Sequence, residues 1–109
     1  MLVTLKKDDL QAEHRYDDRF IEAGRFHWKS QNRTKQDSVH GRIISGEASG
    51  FTLHLFVRME KKRGLKASPF VYCGVVQFDS WDGDNPIAVN WRLADPVPTR
   101  LHRTFQIGE

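Results

Sequence analysis

Between its twenty-fifth and thirty-third positions the chain reads Arg25-Phe26-His27-Trp28-Lys29-Ser30-Gln31-Asn32-Arg33. Nine residues thus hold two aromatic rings, an imidazole, three hydroxyl or amide groups and three cations. A strand needs only alternating apolar positions to bury itself, and this one carries far more polar chemistry than that. Trp28 can stack on a flat ring; His27, Gln31 and Asn32 can meet the donors and acceptors of a base edge; Lys29 and Arg33 can neutralise phosphate. A second run, Arg58-Met59-Glu60-Lys61-Lys62-Arg63-Gly64-Leu65-Lys66, sets five cations against one anion, with Arg58, Lys62 and Arg63 as further phosphate ligands. Trp81, beside Asp82-Gly83, is expected as an exposed ring at a loop tip, where stacking on a base is worth ~1–3 kcal/mol. If both basic segments share one face, the chemistry is that of nucleic-acid recognition, and of a modified base in its sharper form.

Each residue also has a plain structural use. Tryptophan is usually mostly buried, so Trp28 also reads as a half-buried core residue and Trp91 as core. Asn32 can end its strand by bonding its own backbone. Arg58 follows a strong strand and can simply be solvated, as can most charge runs.

The elements that must position these side chains are mostly strands. Leu2–Lys6 reads as a short edge strand, and Asp8 or Asp9 can cap a short helix over 9–15. Phe26–Gln31 places Phe26, Trp28 and Ser30 on one face and His27, Lys29 and Gln31 on the other. Asn32–Gly41 is a polar connection with room for one helical turn; Arg42–Ser45 starts a strand that turns at Glu47-Ala48-Ser49-Gly50. Phe51–Arg58 alternates, with Phe51, Leu53, Leu55 and Val57 inward and Thr52, His54, Phe56 and Arg58 outward. Residues 59–66 form a loop, and Phe70–Phe78, apolar on both sides, is a central strand in which Gly74 marks a bulge or a close backbone approach. Asp82-Gly83-Asp84-Asn85-Pro86 is a strong turn signal. Ile87, Val89, Trp91 and Leu93 are the inward face of a last strand. The pattern predicts a mainly β domain with minor α over residues 1–100, a small strongly bent sheet or partly open β-barrel of five to six strands, with helix allowed at 9–22 and 35–40. Residues 101–109 are expected to be a loose tail.

The composition sets bounds. Of 109 residues, 39% are apolar and 28% charged, which describes a single globular domain rather than a disordered chain. No stretch nears the ~20 apolar residues of a membrane helix, and the N-terminus has no signal-peptide pattern. A single cysteine, Cys73, suits a reducing compartment, so a cytoplasmic address is expected. The net charge of +3 is mild, but its distribution is uneven: residues 25–42 and 58–66 are basic, 8–24 and 79–95 acidic.

Catalytic and metal patterns are missing from the sequence. Cys73 and five histidines give no C-x-x-C, H-x-H or H-E-x-x-H spacing, there is no G-x-S-x-G elbow, and no cofactor is implied. A metal-dependent nuclease is the least favoured reading: Glu60 and Lys62 give E-x-K after an apolar strand, with Glu47 upstream as the second acid.

Tyr16-Asp17, Phe26-His27-Trp28-Lys29-Ser30-Gln31-Asn32, Ser38 and Gly41, Leu55-Phe56-Val57-Arg58, Phe70, Tyr72-Cys73-Gly74, Pro86 and Trp91-Arg92-Leu93 occur in an order that resembles a bacterial domain of unknown function. That domain is usually found at the C-terminus of DEAD/DEAH-type superfamily II helicases, often beside a phospholipase-D-like nuclease domain. The resemblance covers roughly residues 2 to 100 and implies a DNA-processing or defence setting. The chain itself has neither a G-x-x-x-x-G-K-[ST] phosphate loop nor an H-x-K pair, so ATP hydrolysis and strand cleavage do not carry over. A looser similarity, resting on strand order and aromatic-rich segments, is to PUA and SRA barrels, which bind RNA or flipped modified bases. The expected function is therefore a non-catalytic nucleic-acid-binding module, with DNA favoured over RNA. The alternative is a protein-interaction module that docks on a helicase or nuclease and exposes an apolar patch around Phe56 and Trp81.

Overall fold

The computed structural model describes residues 1–5, 18–30, 35–84 and 86–108. Its most regular part is the strand whose alternation is clearest in the sequence. In β8 (Ala88–Leu93) the inward residues Val89, Trp91 and Leu93 are buried, as is Ile87 just before it. Around it lie β1 (Leu2–Thr4), β2 (Arg19–Glu22), β3 (Arg25–Lys29), β4 (Leu53–Arg58) and β7 (Val71–Asp82). They form one six-stranded sheet in the order β1-β4-β7-β8-β3-β2, antiparallel except for the β1–β4 pair. The sheet curls into a half-barrel around Phe26, Leu55, Val57, Ile87, Val89 and Trp91, all 0–1% exposed. The mainly β fold expected from the sequence is the fold found, with one short helix, α1 (Val39–Ser45). No described helix is long and apolar enough to cross a membrane.

The curl comes from β7. This twelve-residue strand has one extra residue against β4, at Cys73, and another against β8, at Asp79. Each such bulge bends the strand and raises its twist. Gly74 follows the first with φ 96° and no atom within 4 Å of where a Cβ would stand. Of the two readings open in the sequence, a bulge or a close approach, the bulge is the one that requires glycine here.

Several elements differ from the sequence pattern. Arg42–Ser45 belongs to α1, not to a strand: Ser38 Oγ accepts the Gly41 N–H (3.1 Å) and Gly46 closes the helix with φ 82°, so the two caps outweigh the β-branched Ile43 and Ile44. Residues 19–22, where helix was allowed, form β2, joined to β3 by the Ala23-Gly24 turn. The basic loop contains a small separate hairpin, β5 (Lys62–Arg63) with β6 (Lys66–Ala67). Phe51 precedes β4 rather than opening it and is 59% exposed.

The last segment is not a loose tail. After a 3-10 turn at Thr99–Leu101, Phe105 N–H donates to Leu101 O (3.0 Å) and Ile107 N–H to His102 O (2.8 Å). These bonds turn Phe105 and Ile107 into the core, where they are 2% and 7% exposed. Leu101 and Phe105 are one helical turn apart, so both reach the same side.

Candidate nucleic-acid interface

The outer face of β3 carries Arg25, His27 and Lys29, and the register sets them opposite Arg92, Asn90 and Ala88 of β8. Next along the sheet, Ser80 of β7 lies opposite Asn90. These positions make a polar ladder across three strands. The Asn90 amide nitrogen donates to Ser80 Oγ (3.1 Å), which leaves Asn90 Oδ1 to accept from His27 Nδ1–H (2.8 Å). That arrangement holds the imidazole ring in place and leaves Nε2 as the nitrogen not engaged by Asn90.

Asp79, the bulged residue of β7, forms an ion pair with Arg25. The two side chains stay 24% and 45% exposed, so the pair orients more than it stabilises, with a contribution of up to ~1 kcal/mol. Glu22, Gly24, Arg25, Asp79, Arg92 and Leu93 line an open concavity of about 430 Å³ on this face. With exposed Arg19 opposite His27 and exposed Lys29 beyond, the face carries four cations, Arg19, Arg25, Lys29 and Arg92, interleaved with the carboxylates Glu22, Asp79 and Asp82. A flat sheet face with fixed donors, acceptors and cations can hold a phosphate backbone and touch base or sugar edges.

Only part of the set predicted from sequence converges here. His27 and Lys29 do. Trp28 faces the other way, half-buried against the core with its ring 6.3 Å from that of Trp91. Gln31, Asn32 and Arg33 lie outside the described residues. Arg58 points outward but is held within the protein: its Nε donates to Thr4 Oγ1 (2.9 Å), its Nη1 to Ser68 O (3.2 Å), and its guanidinium sits 4.3 Å from the Phe70 ring centre. Trp81 is on β7, not at a loop tip, and packs edge-on against Phe78 at 5.0 Å.

The two basic segments do not meet. Lys29 is level with Asp82 through their shared neighbour Ala88, whereas Val57, just before Arg58, is level with Val71. The hairpin bearing Lys62 and the backbone of Arg63 therefore stands at the opposite end of β7, roughly 35 Å along the strand direction. The acids of the nuclease reading are also apart: Glu47 precedes β4 and Glu60 follows it, so the six residues of the strand, roughly 20 Å, lie between them. Among the described residues no group of three or more His, Cys, Asp or Glu side chains is placed to hold a metal ion.

Sequence reasoning missed Arg92, Asn90, Ser80 and the Arg25–Asp79 pair. The outward alternation Ala88, Asn90, Arg92 was readable along β8, but only the register shows which strand it faces.

Two further features matter. On the outer face at the other end of the sheet, Leu2 and Tyr72 are 70% and 52% exposed, with Phe56 5.0 Å from the Tyr72 ring and His54 Nδ1 2.8 Å from its hydroxyl. Tyr72 is thus a surface residue, not core. Inside, Trp91 is 1% exposed, and its indole Nε1–H has no acceptor among the described residues. An unpaired buried donor costs about 1–3 kcal/mol.

Residues 1–105 match the family model described as "Domain of unknown function (DUF3427)". No curated protein matches the chain.

Proposed function

The chain belongs to this family of domains of unknown function, and from that premise we propose that it is a non-catalytic nucleic-acid-binding module whose outer β2–β3–β8 face takes the phosphate backbone. Arg19, Arg25, Lys29 and Arg92 provide the charge; His27, held by Asn90, contacts a sugar or base edge. The observation that carries the reading is the His27–Asn90–Ser80 ladder flanked by cations from three strands. DNA is the favoured partner, in a cytoplasmic DNA-processing or defence setting beside a helicase or nuclease. The half-barrel is in keeping with a PUA- or SRA-like use of the fold.

Titration of short duplex, single-stranded and modified DNA at two salt concentrations tests this. Three or four neutralised phosphates give a slope of log affinity on log salt of about −3 for duplex, and Arg92→Ala lowers that slope by about 1. Absence of salt-sensitive binding to every one of these DNAs ends the reading.

The patch of exposed Leu2 and Tyr72 with half-buried Phe56 favours a second reading, docking on a protein partner. It is tested with a purified superfamily II helicase after nuclease treatment; a complex lost on Tyr72→Ala supports it, and no complex rejects it.

A further inference from the structure

Strand β4 begins at Leu53, opposite Val76, yet β7 runs on to Asp82. Over those last residues β7 pairs with β8 on one side and, among the described residues, with no strand on the other. Alongside this uncovered stretch, residues 43–46 at the end of α1 border a cleft of about 320 Å³. That volume is in the lower range of small-molecule pockets, about 300–1,000 Å³. Phe51, Phe78 and Trp91 contribute to its walls, and the indole N–H of Trp91, buried there, has no acceptor among the described residues.

Gln77 ties the cleft to the outer face. It lines the cleft and is the direct partner of Arg92 across β7 and β8, so the basic concavity and the cleft lie on either side of one strand. We propose that the cleft receives a single unstacked nucleobase from a strand held on the outer face, with Trp91 Nε1–H donating to an acceptor atom of the base. This rests on the nucleic-acid reading above and gives it a site for the base itself. Flat rings with edge acceptors fit this donor and these walls; a hydrocarbon ligand would leave the donor unpaired.

The indole nitrogen is closed to solvent in this conformation, so pairing with a base requires a movement of the cleft wall, of which the C-terminal end of α1 is part. The helix is pinned at its other end. A Cβ on Gly41 would come within 2.3 Å of the carbonyl oxygens of Lys35 and Gln36, and Gln36 is itself tied to Gly83 O (3.0 Å) and Asp84 Oδ1 (2.8 Å). The end beside the cleft stops at Gly46, in the left-handed region.

The test uses the whole chain and two duplexes that differ at one position, which carries either an unpaired base or an abasic site. The base-bearing duplex is expected to bind about tenfold tighter, a difference in the range of one stacked base. Phe51→Ala, at an exposed position, and Trp91→Phe, which keeps a ring but removes the donor, abolish that preference, whereas Arg92→Ala weakens both duplexes alike. Equal binding of the two duplexes by the unaltered chain overturns the cleft and leaves the surface reading standing. A preference that survives Phe51→Ala overturns it too. If neither duplex binds, the surface reading falls, and the nucleosides alone decide the cleft. A shift of the indole N–H resonance that disappears in Trp91→Phe then supports it, and no shift refutes it.

Discussion

The two bulges of β7 invite comparison. At Cys73 the extra residue is a half-buried thiol, in the part of the sheet where Val71 and Arg58 lie beside the C-terminal segment. At Asp79 it is a carboxylate paired with Arg25 across the outer face. One irregularity helps close the core and the other helps display charge. The same division separates the cations, since Arg58 is held by Thr4 and Ser68 while Arg92 stays exposed. Positive charge in the sequence therefore has two uses, and changes at each end should separate them.

The largest effect is expected at the closed end. Phe105→Ala should cost about 3–5 kcal/mol, as for other buried phenylalanines. Chemical denaturation measures the loss, and the protein that remains folded should bind DNA as before. A loss below about 1 kcal/mol would return residues 101–109 to the loose tail that the sequence suggested.

Arg58→Ala comes next. It removes hydrogen bonds from a charged donor and its contact with Phe70, for an expected loss of about 1.5–3 kcal/mol. DNA affinity should change less than twofold. The reverse result, intact stability with weakened binding, would return Arg58 to the phosphate-binding set and blur the contrast between the two ends.

These changes also mark what was legible in the sequence. The half-barrel was, because β4 and β8 alternate strictly and Gly74 flags the bend. Part of the candidate surface was too, through His27 and Lys29. The remainder depends on pairing register. Arg92 looks like any outward residue of a last strand until it is known to face Arg25, and the distance between the two basic runs is set by the length of β7, which ran four residues past its predicted end at Phe78. Arg58 kept its outward direction but not its freedom, because Thr4 arrives from the parallel β1, which sequence spacing cannot align with β4. Trp81 was misplaced because the Asp82-Gly83 signal marks where the strand ends, not where exposure begins.

A smaller change sharpens the picture of the display face. Asp79→Asn deletes the exposed ion pair with Arg25, so stability should fall by less than about 1 kcal/mol. It also removes a negative charge from the surface proposed to bind phosphate. Affinity for duplex DNA at low salt should rise, by about two- to fivefold, and the gain should fade as salt screens it. An unchanged affinity would place the DNA elsewhere.

At neutral pH the other bulge should show least of all. Burial pushes the Cys73 thiol from its ordinary 9.0 up to about 11, so the folded chain holds this proton more tightly than the unfolded chain. Its contribution to stability is therefore fully present below pH 9.0 and fades as the pH rises toward 11, because the unfolded chain gains by ionising first. Cys73→Ala removes that alkaline dependence while leaving DNA binding alone. A thiol-specific disulfide reagent gives the direct check. At pH 8 the thiolate fraction is about a hundredfold below that of an ordinary cysteine, so labelling should be slower by about that factor and should accelerate up to pH 11. Labelling at the rate of a free thiol would mean that this bulge is as open as the one at Asp79, and the contrast between the two ends of β7 would be lost.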